Sequence, residues 1–140
     1  MSAGHDLDRA RRALHALLAV AVLVSIVHYV DNVANFADYP DPTSGPAPSR
    51  GVIAASWFAF TAFAAAAVVL LARGRLAAAA GCLAVYSMSG LVGFGHYTVE
   101  GATDMPWWRQ THIVADIACG LAVLGFAVWL ARRERAAASA

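Results

Sequence analysis

Three stretches of this chain carry imidazoles and carboxylates at helical spacing. Ser25, His28, Asp31, Asn32 and Asn35 fall within an arc of roughly 120° if their segment is a helix turning about 100° per residue. His112 and Asp116 form an i, i+4 pair, which puts both side chains on one helical face. His96 closes a third apolar run, with Ser89 and Cys82 on the same stripe. Imidazole nitrogen and carboxylate oxygen suit zinc, iron or manganese, and a carboxylate can fix a ligating ring through its second nitrogen. The expected metal set is therefore His28, His96 and His112, with Asp31 and Asp116 as further ligands or as partners of the His on their own helices. Asp31 or Asp116 would serve as general base for a metal-bound water.

Other chemistries use the same residues. Two of the His could be axial ligands of a haem, with Gly90, Gly93 and Gly95 making room, although neighbouring carboxylates would repel its propionates. His28–Asp31 and His112–Asp116 could instead be intrahelical pairs within a polar network that ties helices together. His28-Tyr29-Val30-Asp31-Asn32, Gly95-His96-Tyr97 and His112-Ile113-Val114-Ala115-Asp116 resemble in style the histidine boxes of membrane metalloenzymes. Their spacing matches no particular one, so no residue role is carried over. There is no phosphate-binding glycine motif and no CxxC pair. His15 reads as interfacial, and Cys82 and Cys119 as small apolar residues.

The elements that hold these residues are written in the composition. Of 140 residues, 60% are hydrophobic and 14% charged, against roughly 45–50% and 25% in soluble domains. Four apolar runs reach the approximately 20 residues that a bilayer requires, over about 12–32, 52–72, 76–96 and 107–131. The expected fold is all-α, an integral membrane four-helix bundle forming a single transmembrane domain over residues 1–140. Arg73-Gly74-Arg75 leaves room only for a tight hairpin. The segment Asn35 to Gly51, with Pro40, Pro42, Pro46 and Pro48, reads as a non-helical loop. Asp104 is the expected N-cap of the last helix, with Pro106 in its first turn.

Arginine placement orients the bundle. Arg9, Arg11, Arg12, Arg73, Arg75, Arg132, Arg133 and Arg135 fall on one side and only Arg50 and Arg109 on the other. Both termini are therefore expected in the cytoplasm of a multi-pass plasma-membrane protein, with the His/Asp cluster in the outer half. All ten basic residues are Arg and none is Lys, which with the abundant Ala reads as bacterial GC-rich coding. The near-zero net charge gives no sign of a nucleic-acid partner, and none is expected. The expected partners are the lipid bilayer, a small apolar or lipid substrate, and further copies or a larger membrane complex. Two function classes remain: a metal-dependent membrane enzyme, or a non-enzymatic ion or metal carrier or accessory subunit. The carrier lacks a polar path inward, since only Cys82, Cys119, Tyr86 and His15 lie below Asp116 and Ser89.

Overall fold

The structure, a computed structural model, describes residues 3–40 and 48–139. Four helices follow in order: α1 (Ala3–Ala34), α2 (Arg50–Ala72), α3 (Leu76–Leu91) and α4 (Trp107–Ala138). Each contains a segment long and apolar enough to cross a membrane: Asp8–Ala34, Arg50–Ala72, Trp107–Ala138, and Leu76–Thr98, where α3 is continued by a 3-10 stretch. The protein is thus an all-helical membrane bundle. Each helix packs on its two neighbours in a ring, α1 on α2, α2 on α3, α3 on α4 and α4 on α1. α1 and α4 both overrun their expected spans, at the end of the bundle that carries the termini.

Lipid tails are as apolar as leucine, so close packing rather than water exclusion must hold such helices together. The tightest approach is α3 on α4. A Cβ added to Gly120 would lie 2.8 Å from the Ser87 carbonyl oxygen, and one on Gly90 would collide with the Asp116 carbonyl. The backbones therefore touch one turn from Asp116. Nearer the termini, Leu14, Leu18, Leu71, Leu83, Val123 and Leu130 interlock with Ala64, Ala67, Ala79 and Ala80. Arg73-Gly74-Arg75 closes the α2–α3 hairpin, with Gly74 at φ 72°, a left-handed position that glycine adopts without a Cβ penalty.

The opposite end differs from expectation in three ways. The segment after α1 is not wholly loop: Phe36–Asp38 makes one 3-10 turn, while Pro42 and Pro46 lie outside the described residues. α3 is α-helical only to Leu91, and Val92–Thr98 continue as a 3-10 helix. Gly93 and Gly95 are poor α-helix formers, and the tighter winding advances about 120° per residue instead of 100°. Asp104 does not cap α4. It ends a short 3-10 turn over Ala102–Asp104, and Pro106 takes the cap position with no side-chain bond. The Pro106 carbonyl accepts the Arg109 and Gln110 amides, so the ring sits just outside the helix.

Candidate functional site

The polar stripe of α1 turns into the bundle as its spacing requires. Ser25, His28, Asp31 and Asn32 are all buried. α4 answers with Arg109, His112 and Asp116, also buried, and Asp116 is only 1% exposed. His96 approaches from the 3-10 continuation of α3. All five residues expected to form the site meet at one end of the bundle.

They pair across helices, not along them. His28 Nδ1 lies 2.7 Å from Asp116 Oδ2, its N–H donating to the carboxylate. His112 Nε2 lies 3.2 Å from Asp31 Oδ2. The intrahelical pairs His28–Asp31 and His112–Asp116 are therefore corrected to an exchanged set that crosslinks α1 and α4. Residues three or four apart share a face, but here that face is pressed against another helix, which supplies nearer partners.

Asp31 is saturated. Its Oδ1 accepts from Asn35 Nδ2 at 2.6 Å. Its Oδ2 accepts from Tyr39 Oη at 2.6 Å, Arg109 Nε at 2.9 Å and His112. Arg109 also reaches the Asp38 carbonyl and carboxylate at 3.3 and 3.4 Å. Its guanidinium lies 4.7 Å from the Tyr39 ring centre and 5.0 Å from that of Trp108. Tyr39 lies beyond the spans, and burial, reinforced by the Asp31 hydrogen bond and charge, raises its phenol well above the usual range. It remains a donor to the carboxylate. A buried charge needs this degree of compensation. This knot pins the turn after α1 against α4.

His28 faces the other way. With Nδ1 engaged by Asp116, the ring turns Nε2 towards His96, whose own Nε2 is 3.3 Å away. Asn32 Nδ2 donates to that same His96 nitrogen at 3.1 Å, whose lone pair is thereby engaged. The His28 and His96 ring centres are 5.4 Å apart, and those of His28 and His112 5.5 Å. His112 Nδ1 is buried with no hydrogen-bond partner. Among the described residues, no three His, Cys, Asp or Glu side chains already stand in ion-chelating positions. The expected three-His chelate is not preformed, because Asp31 holds His112 by Nε2.

A cavity of about 440 Å³ opens beside this pair. His28, Asn32 and His96 form one wall, and Val52, Ile53 and Phe60 of α2 face them. Neither Asp31 nor Asp116 lines it; Asp116 stands behind the lining His28, and Asp31 behind His112, which lies off the cavity. Phe60 faces the cavity, while Phe58 and Phe63 face outward. Ser87 back-bonds to the Ala84 carbonyl at 2.7 Å. Ser89 does not back-bond: its hydroxyl has no partner, and its carbonyl accepts from Tyr29 at 3.1 Å.

Two members of the knot escape the sequence reading. Arg109 counts there as an outer-side charge, yet it lies at i, i+3, i+7 with His112 and Asp116, a stripe the sequence does display. Tyr39 sits among prolines, where no periodicity marks it. No family model matches the chain, and comparison with curated proteins and with solved structures finds no similar protein.

Proposed function

We propose that this protein is a membrane-embedded metal-binding protein, in which a divalent ion shared by His28 Nε2 and His96 Nε2 serves chemistry on an apolar molecule in the adjoining cavity. The observation that carries this reading is the pair of imidazole Nε2 atoms facing each other at 3.3 Å. Either a shared proton or a metal ion satisfies such a pair, and two nitrogens on one tetrahedral metal at about 2.1 Å stand roughly 3–3.5 Å apart. Asp116 behind His28 supports it, since a carboxylate on the second nitrogen raises ligand basicity and fixes the ring. His112 Nδ1, buried and unpartnered, supplies a third nitrogen after a modest movement of its ring. Zinc, iron and manganese suit these donors. Haem gains no support, because imidazoles 3.3 Å apart leave no space for a macrocycle between them.

A second reading is favoured by the saturation of Asp31. A fully satisfied knot of this kind ties helices together without any ion, and His28 and His96 would then share a proton. A carrier role is less well supported, since the half of the bundle nearer the termini is filled by Leu14, Leu18, Leu83, Val123 and Leu130.

Metal titration of chelator-stripped protein separates these readings. Zinc or manganese should bind at one site per chain, and His28→Ala and His96→Ala should each abolish it, while His15→Ala, on an exposed surface, should not. Binding unchanged in both site variants would sink the metal reading and leave the structural network.

A further inference from the structure

We infer that the cavity beside His28 and His96 takes a single neutral apolar molecule with one oxygen-bearing head, entering from the bilayer along α2. This builds on the proposed His28–His96 centre, for which it names the substrate class. At roughly 30 Å³ per water-sized group, 440 Å³ takes about 15 such groups, or about 20 linked non-hydrogen atoms. That suits one acyl or polyene chain, or a compact ring system, and excludes a two-chain phospholipid.

The lining divides by element. Val52, Ile53 and Phe60 of α2 and Val92 and Val99 beyond α3 are apolar, and polar atoms gather on the wall holding His28, Asn32 and His96. Among the described residues, no Asp, Glu, Lys or Arg lines the cavity. Of the cations around it, Arg109 is consumed by Asp31 and Asp38, and the exposed Arg50 lies over the Phe36 ring. The Asp116 carboxylate stands directly behind the cavity-lining His28, so an anionic head at that wall would meet negative charge. A hydroxyl or carbonyl oxygen meets donors and an ion site instead. Entry from the membrane follows from α2, whose other face presents Phe58, Phe63 and Val69 outward. The cavity lies at the level of its first turns, so a molecule dissolved in the bilayer is already at the right depth.

The test uses chelator-treated protein in phosphatidylcholine nanodiscs, so that it does not depend on metal. The probe is all-trans-retinol, a neutral fluorescent polyene alcohol, with retinoic acid as its ionised counterpart. Retinol should bind saturably at one per chain, and more tightly than retinoic acid. Gly95→Leu projects into space where a Cβ meets nothing within 4 Å, and Ile53→Trp fills the facing wall. Each should weaken retinol binding by about tenfold or more, while Phe58→Trp on the outer face should not. Size-exclusion profiles matching wild type establish that both filled variants are folded. Non-saturable partitioning, equal binding by all three variants, or retinoic acid binding as tightly as retinol would each overturn the inference. Retinol binding with the expected variant pattern in a protein that takes up no metal upholds the cavity and rejects the metal reading. Metal uptake without saturable retinol binding does the reverse.

Discussion

His28 and Asp116, eighty-eight residues apart, share a 2.7 Å hydrogen bond in which neither side chain is more than 3% exposed. The bond joins the first helix to the last and sets which His28 nitrogen faces the cavity. Asp116 cannot easily move, because its own carbonyl is pressed against Gly90.

Replacing Asp116 by Asn keeps the shape but removes the charge that orients His28. Zinc or manganese affinity should fall about 10–100-fold, with the protein still folded and the His28→Ala variant weaker still. Dialysis against buffered metal measures this. Affinity equal to wild type in Asp116→Asn means that Asp116 does not support a ligand.

The Asp31 knot should behave as a unit. Arg109→Met leaves the Asp31 carboxylate buried without its cation and should cost about 3–5 kcal/mol. Tyr39→Phe removes one hydrogen bond and should cost about 1–2 kcal/mol. Adding Asp31→Asn to Arg109→Met should recover part of the loss, because the uncompensated charge is gone. Unfolding in mixed micelles by a graded denaturing detergent gives these values, and strictly additive losses in the double variant would contradict the coupling.

Two glycines of α4 should respond in opposite ways. Gly120→Ala pushes a Cβ to 2.8 Å from the Ser87 carbonyl, and a forced separation of packed backbones should cost about 1–3 kcal/mol. Gly125→Ala meets nothing within 4 Å and should be neutral or stabilise by about 0.5–1 kcal/mol through helix propensity. Thermal unfolding of the two variants is enough to decide. If Gly120→Ala is as stable as wild type, the close α3–α4 crossing is not required.

The arginine asymmetry predicts where each end lies. In a background without Cys82 and Cys119, Thr103→Cys at the exposed site end should react with an impermeant thiol reagent on intact cells. Ala137→Cys, exposed near the C-terminus, should react only after lysis. The opposite labelling pattern would reverse the orientation.

The helices and the membership of the cluster were legible because both rest on simple periodicities. Twenty apolar residues announce a span, and His28, Asp31 and Asn32 on one arc announce a buried face. Partner choice was not legible. Whether His28 bonds Asp31 or Asp116 depends on the rotation of α1 against α4, set by contacts such as Gly120 on Ser87 that no local pattern records. Tyr39 was invisible for a related reason: its role depends on one 3-10 turn folding it back onto Asp31. Arg109 shows a different failure, since charge counting for topology and stripe analysis for burial assign it different roles, and burial is the one observed.

The apolar wall of the cavity falls on a different stretch of chain from the ionisable groups. α1, α4 and the turn after α3 carry every imidazole and carboxylate of the cluster, while α2 contributes hydrocarbon and a single hydroxyl, Ser56. Selectivity and reactivity can therefore be retuned separately. Changing Val52, Ile53 or Phe60 would reshape what fits without disturbing the His28–Asp116 or Asp31–Arg109 bonds, so a library confined to α2 would search for new ligands with the polar cluster intact.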